Sequence, residues 1–452
     1  MSTENEIPSG GAPSSATPPA AQAPLASDAA PGGTVEPPHP RRGRVRRRVG
    51  LGLAAIGLTV AVVVGLALAS SFWNIGGRLA EGVAEQQTEG SFYRVDAPMA
   101  AAAPGTLIRS EPIANAPAGS TAWRVLYHST DVHGTDIVVS GVVVAPDGDA
   151  PPGGRPIVSW GHPTTGTAVK CAPSVGIDPF DLIEGLKQLL DAGYVVAATD
   201  YSGLGVDGPA SQTPDSYLIG VTEGNNILDA ARAARALDGA GAGTALALWG
   251  HSQGGQAALF AAQLAPAYAP EFDLKGVAVA APATGLAALL KADISDISGV
   301  TIGQYAFAAF ASVYGPTTPG AELNTILTPP AAALTDQMNS LCLLGENKEL
   351  HTLGEPLIGD YLAADPATTE PWATLLTQNT PGATHLTVPL FVAQGDSDTL
   401  VHPEVTAAFV QHERDIGTVV TAETIEGTGH GLVADRAMPA VMTWLGTLGL
   451  PN

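Results

Sequence analysis

The chemistry in this sequence centres on one serine. Gly250-His251-Ser252-Gln253-Gly254 is a G-x-S-x-G pentapeptide. The apolar run Ala245-Leu246-Ala247-Leu248-Trp249 leads into it as a strand, and Gly255-Gln256-Ala257-Ala258-Leu259-Phe260 leads away as a helix. That strand-turn-helix setting is what a nucleophile elbow requires, because the bend presents the serine hydroxyl at the end of a sheet. The glycines let the bend close where larger side chains would strike the adjoining strand and helix. Ser252 is therefore the candidate nucleophile.

A serine hydroxyl near neutral pH needs a base to take its proton. In this setting the partners are expected in the chain order serine, acid, histidine. Leu390-Phe391-Val392-Ala393-Gln394-Gly395 reads as a strand entering Asp396-Ser397-Asp398-Thr399-Leu400-Val401, and Gly427-Thr428-Gly429-His430-Gly431 follows the last strand. His430 is the candidate base and Asp398 the candidate acid that orients it. Asp396 is the competing carboxylate, better suited to capping the turn. His402 and His412 precede the last strand and read as surface histidines; His128, His133, His351 and His385 have no motif around them. The oxyanion formed by attack on a carbonyl needs two N–H donors. Gln253, the residue after the nucleophile, supplies one by its backbone. The other belongs to Trp160-Gly161-His162-Pro163-Thr164-Thr165-Gly166, where Pro163 has no N–H, so Thr164 or Thr165 must donate.

These residues need a sheet whose strand ends converge. Short β-rich runs alternate with helical patterns from Trp123 onward, which predicts a mostly parallel sheet with helices on both faces. The strands are expected at 123–127, 137–144, 157–160, 194–199, 245–249, 276–280, 390–393 and 419–425. Helices are expected at 180–190, 225–237, 253–264, 403–412 and 438–448. The interval 284–387 holds helical Ala/Leu content and no convincing strand, and it is too long for a plain loop. It reads as a helical cap inserted in a core that spans 105–283 and 388–452. Its aromatic residues Tyr305, Phe307, Phe310 and Tyr314 either line a channel or pack the cap against itself.

The front of the chain has a different composition. Residues 1–40 are rich in Ala, Pro, Ser and Gly and read as a disordered tail. Six arginines lie between Arg41 and Arg48, and an uncharged apolar stretch runs from Val49 to about Ser70. About twenty such residues cross a bilayer as a helix, and the basic flank marks the cytoplasmic side. We therefore expect an N-terminal transmembrane helix or signal anchor over 49–72, a linker over 73–104, and a membrane-attached domain outside the cytoplasm. Ala67-Leu68-Ala69 also suits a processing site, which would instead release the domain as a secreted protein.

The net charge of -23 repels phosphate backbones, so no nucleic-acid partner is expected. Cys171 and Cys342, the only cysteines, lack the paired spacing of a zinc site. Either a disulfide or two buried thiols fits them. Nothing in the sequence sets an oligomeric state.

Several stretches together resemble the secretory lipase family, fungal lipases and their actinobacterial relatives in the α/β-hydrolase superfamily. They are Trp160 to Gly166, Cys171-Ala172-Pro173-Ser174, Thr199-Asp200-Tyr201-Ser202-Gly203-Leu204-Gly205, Trp249 to Gly255, and the segments around Asp398 and His430. The resemblance implies an α/β-hydrolase fold with a helical cap shaping an acyl pocket. It also implies cleavage of lipid or short acyl esters through an acyl-serine, with no metal or organic cofactor. An envelope acyltransferase would use the same acyl-serine, and a non-catalytic membrane-tethered scaffold would keep the fold alone.

Overall fold

The computed structural model describes residues 91–97, 99–176, 178–208 and 213–452. The expected tail, basic segment, transmembrane helix and first part of the linker lie outside the described residues. No helix among the described residues is long and apolar enough to cross a membrane. Phe92, Tyr93 and Val95, within the stretch read as linker, are buried together with Leu126 and Val206, so that part of the linker belongs to the packed domain.

Nine strands form one sheet: β1 (Leu107–Pro112), β2 (Ser120–Thr130), β3 (Asp136–Pro146), β4 (Arg155–Gly161), β5 (Val195–Thr199), β6 (Ala242–His251), β7 (Asp273–Ala280), β8 (Leu390–Gly395) and β9 (Val420–Ile425). Their order is β1-β2-β3-β5-β4-β6-β7-β8-β9. The first three pairings are antiparallel and the remaining five parallel. The eight strands read from the sequence are all present, most of them longer than expected. β1 was not expected, because Arg109, Ser110 and Glu111 give it no apolar alternation.

The central strands are apolar on both faces, as strands sandwiched between helix layers must be. Along β6, Leu246 and Leu248 join one core while Ala247 and Trp249 join the other. Helices α1 (Leu186–Asp191), α2 (Gly220–Ala236) and α3 (Gln253–Tyr268) follow β4, β5 and β6. α2 and α3 cover one face and α1 the opposite face. The expected helix over 180–190 is corrected to α1 alone. Residues 180–185 form turns, and Gly185, with φ +85 and no room for a Cβ beside Met438, interrupts the helical path just before α1.

Between β7 and β8 lie α4 (Leu286–Asp293), α5 (Ile297–Tyr314), α6 (Pro329–Ala333), α7 (Thr335–Asn339), α8 (Leu343–Gly354) and α9 (Trp372–Gln378), with no strand among them. This is the strandless interval seen in the sequence. Two helices complete the core, α10 (Pro403–Asp415) and α11 (Val433–Thr447). α11 begins five residues before the expected Met438 and packs beside α1, whereas α10 lies over the other face.

The topology also says where a ligand belongs. From β4 the chain steps to β5 on one side and then crosses to β6 on the other. In parallel sheets such a reversal opens a crevice at the carboxyl ends of the strands, where ligands bind. Gly161 at the end of β4 pairs with Gly250 at the end of β6, so the loops leaving these two strands face each other across that crevice.

Candidate active site

Ser252 sits at the bend between β6 and α3 with φ 57 and ψ -115. A non-glycine residue in that region costs about 1–3 kcal/mol and persists only where its surroundings force it. Here they do. A Cβ on Gly250 would strike the Gly254 carbonyl, and a Cβ on Gly254 would strike the Gly161 carbonyl. The glycines are therefore required by close backbone approach as well as by the turn. Ser252 N donates to Ala280 O at 3.0 Å, tying the bend to β7. Ser252 retains 8% exposure and borders a cavity of about 400 Å3.

His430 opens a single 3-10 turn just after β9. Its Nδ1 lies 2.8 Å from Asp398 Oδ2. The other oxygen, Asp398 Oδ1, accepts the N–H groups of Leu400 and Val401, each at 2.9 Å. Burial opposes the Asp398 charge. The His430 contact and the two backbone N–H groups outweigh it and hold the carboxyl below the usual carboxylate range. An ionised carboxylate can only accept, so Nδ1 carries the ring proton and Nε2 is left as the basic nitrogen. Burial pushes the His430 ring below the ordinary histidine range, with the Asp398 hydrogen bond pulling the other way.

The structure thus brings His430 against Asp398 and turns both His430 and Ser252 toward one cavity. It does not join the serine hydroxyl to the ring by a hydrogen bond. Such contacts are often long in unliganded enzymes and tighten when substrate binds. Asp396 is exposed and instead accepts from Thr428 N at 3.3 Å and Ser397 Oγ at 3.0 Å. His402 faces Asp293 of α4 at 2.7 Å, and His412 lies 2.9 Å from the Gly382 carbonyl. Neither rival reaches Asp398 or Ser252. His402 and Asp293 form a half-buried pair, which corrects its reading as a plain surface histidine.

Gln253 is the first residue of α3, and the N–H groups of a helix's first turn have no partner within the helix. Its side-chain Nε2 donates to Glu223 Oε1 at 2.6 Å and fixes the residue against α2. In the facing loop Pro163 and Thr164 border the cavity, while Thr165 is buried away from it. Thr164 Oγ1 is 2.7 Å from the Tyr217 hydroxyl.

This loop is held from two sides. The His162 ring packs on Tyr201 with centroids 4.5 Å apart, and Tyr201 OH donates to the His162 carbonyl at 3.2 Å. Asp200, buried beside it, accepts from Ser140 Oγ, Ser174 Oγ and Ser174 N, so the Asp200 to Gly205 loop is a structural anchor. On the other side Leu343 N donates to Thr165 O at 2.8 Å, and Cys171 and Cys342 form a disulfide that fastens the loop region to the start of α8. The two cysteines are 171 residues apart in sequence, and only their meeting in space distinguishes a bridge from two thiols.

The rest of the cavity wall is mostly aliphatic and aromatic. It includes Leu286 and Leu289 of α4, Ile302, Ala306, Phe307 and Phe310 of α5, and Leu376 of α9. Of the four aromatic residues singled out in the sequence, Phe307 and Phe310 border the cavity. Tyr305 and Tyr314 are absent from its wall, and they donate to Leu341 O and to Asn379 Oδ1. Sequence reading gave no role to Glu184, His251 and Asp435, which line the same cavity. Among the described residues no group of His, Cys, Asp or Glu side chains is arranged to hold a metal ion.

The comparisons agree with this geometry at the level of fold and family. Lipase 6 of Candida albicans is 28% identical over 233 residues, covering 47% of each chain. A Mycobacterium tuberculosis protein called a probable inactive lipase, MT1628, is 28% identical over 199 residues, covering 42% of this chain and 44% of that one. The chain therefore spans less than half the length of these two relatives. The crystal structure of Candida antarctica lipase A in its closed state superposes with a TM-score of 0.62 at 20% identity, covering 76% of this chain and 82% of that one. The fold is thus that of the α/β-hydrolases. A model of the secretory lipase family matches residues 180–447, more than half of the chain and the whole stretch carrying Ser252, Asp398 and His430. On that match the chain belongs to the secretory lipase family.

Proposed function

We propose that the protein hydrolyses carboxylic esters through an acyl-serine formed on Ser252. The observation that carries this reading is the strained serine facing the same cavity as an imidazole whose far nitrogen is held 2.8 Å from a buried carboxylate. His430 Nε2 takes the Ser252 proton as Oγ bonds to the ester carbonyl carbon. The backbone N–H groups of Gln253 and Thr164 hold the resulting oxyanion. His430 returns the proton to the departing alkoxide as the carbon–oxygen bond breaks. Water then enters by the same route in reverse and frees the acid. The apolar cavity wall suits the acyl chain, and the insertion 284–387 acts as its cap. Neither metal nor organic cofactor has a part in these steps.

The reaction belongs outside the cytoplasm. Supporting that location are family membership, the disulfide, which persists in oxidising compartments, and the basic and apolar segments preceding the domain. The domain is then either tethered by the segment 49–72 or released by its removal.

Ser252→Ala tests the mechanism. It is expected to lower kcat for a chromogenic short-chain ester by several powers of ten with the thermal midpoint unchanged. Turnover near that of the parent would remove Ser252 from the reaction. A second reading, a hydrolase fold without catalysis, is favoured by the relative called probably inactive. Labelling of Ser252 by a fluorophosphonate separates the two, because only an activated serine reacts.

A further inference from the structure

His251, immediately before the nucleophile, is 2% exposed, and its ring lies on that of His430 with centroids 4.8 Å apart and planes inclined by 43°. Its Nδ1 donates to Glu184 Oε2 at 2.8 Å. Glu184 is itself fastened to the same strand, because Trp249 Nε1 donates to its backbone carbonyl at 2.9 Å. His251 Nε2 is buried and has no hydrogen-bond partner. The triad candidates are thus backed by a second imidazole–carboxylate pair.

We propose that His251 and Glu184 are a positioning pair for His430, one fixing the plane of its ring and the other setting a second negative charge behind it. The inference rests on the reading of His430 as the base. A single hydrogen bond at Nδ1 leaves an imidazole free to swing about that contact. The His251 ring packed on its face removes that freedom, and the Glu184 bond keeps His251 from turning in its own place. A phenyl ring would stack equally well without leaving a buried nitrogen unpaired, which is a destabilising arrangement. What phenyl cannot do is link the stack to a carboxylate. When His430 takes the serine proton it becomes a cation. The groups that then face it are Asp398 from the loop after β8, His251 from β6 and Glu184 from the segment before α1, with Asp435 of α11 beside Glu184 and His251. His251 lowers the proton affinity of His430, and Glu184 behind it works in the opposite direction, as a nearby negative charge does.

Glu184→Gln keeps an acceptor for His251 Nδ1 and removes only the charge. In the full-length chain with labelled histidine rings, the His430 signal is assigned by its loss in His430→Asn and followed by NMR through a pH titration. The midpoint is expected to fall by about half a pH unit in Glu184→Gln. The acid limb of ester hydrolysis moves down with it, and kcat drops about tenfold at unchanged KM. A merely structural residue would lower the thermal midpoint without moving either titration. His251→Phe keeps the stack and cuts the link, so adding Glu184→Gln to it should lower kcat no further, while loss of the charge still moves the His430 midpoint through space. An unmoved His430 midpoint in folded Glu184→Gln, or full additivity of the two kcat losses, overturns the pair. A midpoint that moves while the rate limb stays fixed keeps the pair and removes His430 as the base.

Discussion

His430 Nδ1 and Asp398 Oδ2 lie 2.8 Å apart although 32 residues separate them, and the second oxygen of the same carboxylate is occupied by the Leu400 and Val401 N–H groups. The acid is held at both ends, so it cannot follow the ring, and the ring must come to it. Asp398→Asn would leave the two backbone contacts but present either tautomer of His430 equally. We expect kcat to fall by about 10²–10⁴ with KM little changed. Asp396→Asn, altering an exposed turn residue, should leave kcat within about twofold. Steady-state kinetics on the two variants check this, and equal losses would dissolve the distinction between the two acids.

The pH profile follows from the same pair. Burial lowers the His430 proton affinity and the Asp398 contact restores part of it, the net direction being downward. His430 acts as a base only when neutral, so the rate is full above its pKa and declines as pH falls through it. The acid limb of kcat/KM should therefore have its midpoint below the ordinary histidine value of about 6.5. A profile measured between pH 4 and 8 checks this, and a midpoint above 7 would contradict it.

How much of this was legible in the sequence depends on the range of the interaction. The elbow announced itself because strand, glycines and helix are contiguous, and the last strand and the loop carrying His430 were placed for the same reason. Local context alone favours Asp398 over Asp396, two residues earlier in the same turn, and the ring that lies against it comes 32 residues later. Glu184 lies in a stretch that reads as helix, yet Gly185 breaks it and turns the carboxylate toward His251, 67 residues on. The sequence contains no periodicity that would signal such a contact. β1 escaped notice because an edge strand can carry polar residues on both sides, as Arg109, Ser110 and Glu111 do.

Glu223 links stability to pH beneath the elbow. It is fully buried on α2, where Oε1 accepts from Gln253 Nε2 and Leu218 N while Oε2 has no partner. Burial raises its pKa well above the usual range, the Gln253 contact opposes this, and the charge of Asp215 adds to it. A carboxyl with a raised folded pKa contributes stability that is complete below its unfolded value of about 4.3 and lost as pH rises through the folded value. Glu223→Gln cannot ionise and escapes that loss. Its thermal midpoint should exceed that of the parent by about 2 °C or more at pH 8, and the two should converge near pH 4. Calorimetry at the two pH values decides it, and a variant less stable than the parent at pH 8 would show that the native carboxyl is ionised at little cost.

The cavity wall offers the test of substrate. On α5 the residues Gly299, Ile302, Gly303, Ala306, Phe307 and Phe310 line it at helical spacing, so one face of a single helix forms a large part of the wall. Two glycines and an alanine on that face leave room that a larger side chain would fill. If the acyl chain lies along this face, Ala306→Phe obstructs long chains and spares short ones, because each methylene denied its place forfeits about 1 kcal/mol of transition-state binding. The ratio of kcat/KM for a dodecanoyl over an acetyl ester should then fall at least about tenfold, through the long-chain value alone. Equal losses on both esters would mean that the substitution disturbs the fold or the triad. No loss on either would mean that the acyl chain leaves the serine by another path, and that α5 packs the insertion without touching substrate.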